Sequence, residues 1–372
     1  MAILQRLLSH DLPRSRWLAI VLVVMVIGLA LTPFLFPGTK ALNVAAKILV
    51  FIVLVASYDL LLGYTGIVSF AHTMFFGIGA YGVAIASTRL AVEGQVGFGA
   101  LAVGIGLALI TSLLLSLVIG LFSLRVKAIF FAMITLAVAS AFLTLASQLS
   151  DFTGGEDGLT FKVPALLQPS TSFSDEPFLG ATLDGRFASY YLLFVATVAL
   201  LLVMLRIVNS PFGRVLMAIR ENDFRAEAIG YRTVIYRTLS NVLAALFATL
   251  AGCLLAIWLR YNGPDTSLSF EIMLDILLIV VIGGMGTMYG AVVGSVLFVL
   301  AQSYLQDLMK LGAGVVEGVP VLAQLVSPDR WLLWLGVLFV LCVYHFPAGI
   351  VGRLRLAARG RAAPSVAAEG GP

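Results

Sequence analysis

Ten apolar segments, most of them about as long as a bilayer is thick, set what this chain can fold into. They lie at about residues 17–36, 42–62, 75–89, 97–122, 128–148, 188–208, 234–259, 270–283, 290–308 and 331–346. A helix that crosses the hydrocarbon core needs roughly 20 apolar residues, and its backbone polar groups must bond within the helix. Only 11% of the 372 residues are charged, far below what a soluble surface needs. The sequence therefore predicts an all-α polytopic membrane protein with about ten transmembrane helices.

The distribution of arginine and lysine predicts how these helices are oriented. With the N-terminus inside, 15 of the 23 basic residues fall on the cytoplasmic side, seven fall outside, and Lys47 lies within a helix. Because cytoplasmic loops carry the excess of basic residues, we expect both termini in the cytoplasm. The predicted domains are one transmembrane domain, residues 1–352, and a disordered cytoplasmic tail, residues 353–372, which is rich in Ala, Gly and Pro.

The longest polar insert, at 150–187, then lies on the outer side. It contains six acidic residues and two basic residues. Its length favours a small folded cap or docking surface, and a loose loop is the alternative.

The stretch at 210–233 is the most charged of its length in the chain, and it carries the signals of helix ends. Ser210 can cap a helix that has Pro211 at its first position. Asn222 can cap a second, shorter helix, and Gly230 suits the left-handed conformation that follows a helix end. We predict two short capped helices on the cytoplasmic side. The alternative is a basic loop that only sets the topology.

Two glycine-rich stretches, at 63–82 and 283–294, interrupt the apolar pattern. Broken helices free backbone polar groups, which membrane proteins bury or use to line a water-filled path. Acidic residues inside a membrane are costly unless they are functional or paired, and Asp275 is the deepest of them here, with Lys47 as a possible partner. The candidates for the pathway or for close helix packing are Gly63, Gly66, Ser69, His72, Asp275, Gly283, Gly284, Gly286 and Gly290.

Motifs of enzymes and of metal sites are absent from the sequence. None of the five lysines follows a glycine, so there is no phosphate-binding P-loop, and H-E-x-x-H, C-x-x-C and G-x-S-x-G are also missing. We predict no catalytic residue and no metal site. Ser69 and His72 are three residues apart, which leaves a catalytic pair as an alternative to a role in satisfying freed backbone groups. The net charge of +4 does not indicate nucleic-acid binding.

Six blocks of sequence resemble the LivM-type permease family of branched-chain amino acid ABC importers, in the family's order and across residues 42–352. The blocks are LLGYTGIVSFAHTMFFGIGAYG (61–82), FFAMITLA (130–137), TGGEDGL (153–159), SPFGRVLMAIRENDFRAEAIG (210–230), VIGGMGTMYGAVVGS (281–295) and FPAGIVG (346–352). The resemblance implies a permease subunit that imports branched-chain amino acids or a related small polar solute. A stand-alone ion-coupled secondary transporter is the alternative, motivated by the broken helices and the intramembrane acids.

The same resemblance implies the partners. The assembly would contain this chain, a second homologous permease (LivH-like), two ATP-binding subunits and a periplasmic substrate-binding protein, in the inner membrane of a bacterium. ATP and Mg would be bound by partner subunits, and no cofactor by this chain. In ABC importers a short cytoplasmic helix with an E-A-x-x-G-like core docks on the ATP-binding subunit, and the sequence here matches that core in part. The residues implied in this coupling are Arg220, Phe224, Arg225, Glu227, Ala228 and Gly230.

Overall fold

The computed structural model describes residues 16–36, 38–91, 95–123, 128–173, 183–315, 327–346 and 348–360. Its helices are α1 (Arg16–Leu35), α2 (Thr39–Thr65), α3 (His72–Arg89), α4 (Phe98–Ser123), α5 (Ala128–Gln148), α6 (Ser150–Thr153), α7 (Gly185–Val208), α8 (Pro211–Glu221), α9 (Asp223–Ala228), α10 (Thr233–Leu259), α11 (Pro264–Ser267), α12 (Phe270–Gly283), α13 (Met288–Val315), α14 (Trp331–His345) and α15 (Gly349–Gly360). Strands β1 (Leu159–Thr160) and β2 (Tyr261–Asn262) form a small sheet, and 3-10 turns lie at Gly155–Asp157, Ala165–Leu167 and Pro328–Arg330. The predictions for residues 1–15, 174–182, 316–326 and 361–372 fall outside the described residues.

Nine spans of the described residues are long and apolar enough to cross a membrane. They are α1, α2, α4, α5, α7, α10, α13 and the stretches Pro264–Gly283 and Trp331–Leu354. The tenth predicted helix is α3, whose 18 residues extend about 27 Å at ~1.5 Å per residue. Glycine, serine and histidine make α3 less apolar, and most of its side chains are buried among other helices. The prediction of an all-α polytopic membrane protein is confirmed.

Helices α2, α3 and α10 form the centre of the bundle. In the apolar stretch of α2, 94% of the residues are buried, whereas in α1 the share is 22%, as expected for a helix that faces lipid. Helix α10 packs on both α2 and α3. A Cβ atom at Gly79 would overlap the carbonyl of Thr249, and one at Gly252 would overlap the carbonyl of Phe76. The glycines thus let the backbones of α3 and α10 approach closely, which is how helices gain packing energy inside a membrane.

The insert at 150–187 is a folded cap in the parts that the structure describes. Strand β1 pairs antiparallel with β2, and the amide of Phe161 donates to the carbonyl of Arg260 at 3.0 Å. Phe161 and Val163 are buried in a cluster with residues of α3 and α10, including Cys253. The cap is therefore anchored where α10 ends. We call this side of the molecule the insert end and the side that carries 210–233 the arginine-rich end.

Residues 353–360, which we expected to be disordered, continue helix α15. Val351 is buried, Ile350 and Leu354 pack against the main core, and the helix contacts α12 and α13. Arg353 donates from Nη1 to the carbonyl of His345 at 2.8 Å. The described start of the predicted tail is therefore helical, and an apolar face of this helix packs on the bundle.

Candidate functional site

The two short helices at the arginine-rich end are capped as predicted. Ser210 Oγ accepts from the amide of Gly213 at 3.4 Å at the start of α8. Asn222 Oδ1 accepts from the amide of Arg225 at 2.9 Å at the start of α9. Gly230 has φ of +101°, a conformation that disfavours residues with a Cβ. Because both helices have fixed ends, they form a defined projection and not a loose basic loop.

Helix α9 presents apolar side chains to its surroundings. Phe224 is 84% exposed and Ile229 is 71% exposed, whereas Ala226 between them is buried. Large exposed apolar side chains rimmed by charge are typical of a partner surface. All six residues implied in coupling are exposed, and five of them lie on α9 and the turn after it: Phe224, Arg225, Glu227, Ala228 and Gly230.

Two contacts join α9 to the start of α10. Glu227 Oε1 accepts from Thr233 Oγ1 at 2.6 Å, and Asp223 Oδ2 lies 2.9 Å from Arg237 Nη2. Thr233 is the first residue of α10 and caps no helix, so its hydroxyl is free to hold Glu227. The carboxylate of Glu227 therefore has a role within this chain. A displacement of α9 would be transmitted directly to α10.

Arg220, the sixth of these residues, is exposed on α8, and its guanidinium reaches the end of α2. Its Nη1 donates to the backbone carbonyl of Gly63, near the end of α2. A Cβ atom at Gly286 would lie 2.9 Å from Arg220 Nη1, and one at Gly66 would lie 3.3 Å from Arg220 Cγ. Both glycines have positive φ, +73° at Gly66 and +77° at Gly286. Arg220 thus lies between the two glycine-rich stretches and connects α8 to both.

The two glycine-rich stretches also meet each other at this point. Asp59 is buried in α2, and its Oδ1 accepts from the amide of Gly286 at 2.8 Å. A Cβ atom at Gly63 would overlap both that carboxylate and the Gly286 nitrogen, so the position needs glycine. We name the four residues Asp59, Gly63, Arg220 and Gly286 the glycine junction. It joins α2, α8 and the loop between α12 and α13.

The remaining glycine candidates serve close packing. A Cβ atom at Gly283 would overlap the carbonyl of Gly290, so α12 and α13 approach backbone to backbone there. Gly284 has φ of +113°, and a Cβ atom on it would lie 3.0 Å from the carbonyl of Ala348 before α15. These glycines therefore set the turn that carries Gly286 to the junction.

Ser69 and His72 are buried and do not bond to each other in the described hydrogen bonds. His72 Nε2 lies 2.8 Å from Ser57 Oγ, and Ser69 Oγ accepts from the amide of Ala71 at 3.3 Å. Tyr58 packs edge-on against the imidazole, with ring centroids 5.1 Å apart. The two side chains thus satisfy polar groups around the break between α2 and α3. Among the described residues, no three His, Cys, Asp or Glu side chains are grouped as metal ligands.

Asp275 is bonded on the other half of the bundle, toward the insert end. Its Oδ2 accepts from Gln302 Nε2 at 3.2 Å, and Gln302 Oε1 accepts from Lys47 Nζ at 2.8 Å. Sequence reasoning paired Asp275 with Lys47 directly and did not include Gln302. Gln302, the first strongly polar side chain after the apolar run 296–301 of α13, was the signal that could have identified it.

A helical bundle in which broken, glycine-rich helices meet beside a capped, charged projection is the architecture of a multi-pass membrane permease. The model of one family, described as the branched-chain amino acid transport system permease component, matches residues 40–343. The chain belongs to this family.

Curated relatives carry the corresponding names. The chain is 25% identical over 305 residues to the "High-affinity branched-chain amino acid transport system permease protein LivM" of Salmonella typhimurium LT2, covering 78% of this chain and 70% of the relative. The protein of the same name from Escherichia coli K12 is 24% identical over 324 residues, with coverage of 84% and 74%. A "Probable branched-chain amino acid transport permease protein LivM" from Methanocaldococcus jannaschii is 25% identical over 295 residues, with coverage of 77% and 80%. No solved structure matches the chain. The LivM-type resemblance is confirmed, and the chain is a transport component and not an enzyme.

Proposed function

We propose that this chain forms part of the translocation path of an ATP-driven ABC importer for branched-chain amino acids or a related small polar solute. One observation carries the proposal. An exposed apolar projection, α9, is attached through α8 and Arg220 to the junction where both broken helices meet. The names of the relatives supply the substrate class.

The mechanism follows from the rigidity of the projection. ATP-driven closure of two nucleotide-binding subunits would displace α9, which their surface holds through Phe224 and Ile229. Because α8 and α9 are capped, the displacement passes on as a rigid-body shift. Arg220 would transmit this shift to the end of α2 through the carbonyl of Gly63, and to the loop around Gly286. The end of α2 and the turn between α12 and α13 then change their separation, and the path opens or closes between them.

The proposed assembly contains two ATP-binding subunits, a second homologous permease (LivH-like) and an external substrate-binding protein, in the plasma membrane of a bacterium. Residues 210–233 and both termini face the cytoplasm, and the cap at 150–187 faces outward. The excess of arginine at the arginine-rich end supports this orientation. ATP and Mg²⁺ are bound by the partner subunits.

A stand-alone ion-coupled transporter is the less favoured candidate. Such a protein needs an acidic residue that exchanges H⁺ or Na⁺ with an aqueous path. Both candidate acids already have partners in this chain, since Asp59 accepts from the Gly286 amide and Asp275 accepts from Gln302. The relatives are also named as components of transport systems, which favours the importer over this alternative.

Affinity purification from the native membrane in mild detergent tests the proposal, together with ATP-dependent uptake of labelled L-leucine into vesicles. The wild-type chain should retain an ATP-binding protein and a second permease. A Phe224→Asp, Ile229→Asp variant should lose the ATP-binding protein and keep the permease. Phe173→Asp is the matched control, because Phe173 is 49% exposed at the insert end. Recovery of the wild-type chain alone, still transporting, would refute the proposal.

A further inference from the structure

Three polar side chains from three helices converge within the membrane-spanning part of the bundle. They are Lys47 of α2, Asp275 of α12 and Gln302 of α13. Lys47 is the ninth residue of α2, about 12 Å along the helix from its start at ~1.5 Å per residue. All three side chains are partly exposed, so they open onto the lateral surface of the chain and are not sealed in its core.

The two charges in this group are held apart by the amide between them. In the described part of the chain, the ion pairs closer than 4 Å are Lys40 with Asp307 and Arg237 with Asp223. A structural pair in a medium of low dielectric constant gains most from direct contact, because the attraction falls with distance. Lys47 and Asp275 do not make such a direct contact. Their separation is spanned by the Gln302 amide, and a ligand that replaced this amide would also need both a donor and an acceptor.

The orientation of the Gln302 amide indicates which ligand could replace it. Its oxygen accepts from the ammonium of Lys47, and its nitrogen donates to the carboxylate of Asp275. The head group of a zwitterionic α-amino acid has the same arrangement, a carboxylate that accepts and an ammonium that donates. Both of its hydrogen bonds would be between ions of opposite charge and so stronger than those of the amide.

We propose that Lys47 and Asp275 bind the head group of a zwitterionic α-amino acid in transit, and that Gln302 bridges them when no amino acid is present. This inference rests on the proposed function as an amino acid importer. The aliphatic side chain of the substrate would lie against the apolar residues that surround the pair. From Ile276 to Gly283, α12 has no polar side chain, and Phe51 lies beside Lys47, with Nζ 5.4 Å from the ring centroid.

Uptake by the reconstituted complex, with binding protein and ATP, is the first test. Lys47→Met and Asp275→Asn should each lower the uptake of labelled L-leucine at least tenfold, while ATP hydrolysis and assembly persist. Lys47→Arg keeps the charge and should keep most of the uptake. Lys40→Met is the matched control, since it removes the exposed pair with Asp307 seven residues earlier on the same helix.

Thiol labelling during turnover provides a readout that a purely structural pair would not change. Cys253 and Cys342 are replaced by Ala, and Gln302→Cys places a reactive thiol between the two charges, both of which this variant keeps. A membrane-impermeant cationic thiosulfonate should label this position, and L-leucine should slow the labelling. 3-Methylbutylamine and 4-methylpentanoate, which each lack one of the two charges, should not slow it.

The outcomes separate the two proposals. Absence of ATP-dependent leucine uptake by the wild-type complex overturns the proposed function and this inference with it. Normal uptake by Lys47→Met, or labelling of Gln302→Cys that leucine leaves unchanged, overturns this inference alone. If the Lys47 variants fail to assemble, the labelling of Gln302→Cys decides on its own.

Discussion

Replacing Arg220 should separate ATP hydrolysis from transport and leave the ATP-binding subunits attached. The guanidinium donates to the carbonyl of Gly63 and lies beside Gly286, so Arg220→Ala removes the link between α8 and the glycine junction. A hydrogen bond from a charged donor contributes about 1.5–3 kcal/mol. Arg220 is an exposed residue, and solvent screening reduces its contribution to about 1–2 kcal/mol. Since about 1.4 kcal/mol is a factor of ten, the solute transported per ATP should fall about 5- to 30-fold.

The assay measures labelled leucine uptake and phosphate release in the same proteoliposomes. Arg220→Lys retains a positive donor without the forked geometry, so its ratio should fall between those of the wild type and Arg220→Ala. Arg214→Ala is the matched control, because Arg214 is an exposed arginine of the same helix. It should leave the ratio unchanged.

Two results would refute this reasoning. An unchanged ratio of transport to hydrolysis in Arg220→Ala would show that the junction does not transmit motion. Loss of the ATP-binding protein from Arg220→Ala on purification would show that Arg220 contacts that subunit, as the family resemblance implies.

Three glycine substitutions test separate parts of the same path. Gly63→Ala would force a Cβ into Asp59, so the free energy of unfolding should fall by about 1–3 kcal/mol. The purified complex should then melt at a lower temperature, and an unchanged melting temperature would contradict the packing described. Gly230→Val has open space around its Cβ, but the position has φ of +101°, which a β-branched residue disfavours. The variant should distort the turn and retain less ATP-binding protein on purification, and normal retention with full uptake would contradict this prediction. Gly290→Leu would clash with the backbone of Gly283, and the size-exclusion peak of the complex should broaden. A sharp peak with normal activity would indicate that this face of α13 contacts lipid.

Local signals in the sequence predicted the elements that depend on local physics. The caps at Ser210 and Asn222 and the turn at Gly230 depend on residues three or four positions away, and they are as predicted. The apolar segments predicted the helices because length and hydropathy are properties of each segment alone. Helix α3 shows where this stops, since its hydropathy does not reveal that other helices enclose it.

The contacts of the site depend on which helices are neighbours, and a single sequence does not contain that information. Arg220 and Gly63 are 157 positions apart, and Lys47 and Gln302 are 255 apart. The insert was left between a cap and a loose loop because its strand is completed by Tyr261, about a hundred residues later. Thr233 begins α10, and its hydroxyl donates to Glu227 in a contact that the sequence did not predict.

Helix α10 connects the arginine-rich end to the insert end, so binding events at the two ends can be coupled. It is a single uninterrupted element of 27 residues, bonded to α9 at its first turn and to the cap just beyond its last. If nucleotide binding at one end changes the affinity of the cap for a docked protein, thermodynamic linkage requires the reverse effect by the same factor. Docking at the cap would then alter the affinity for ATP on the far side of the bilayer. In the proposed assembly, the affinity for ATP would therefore depend on whether a binding protein is docked at the cap.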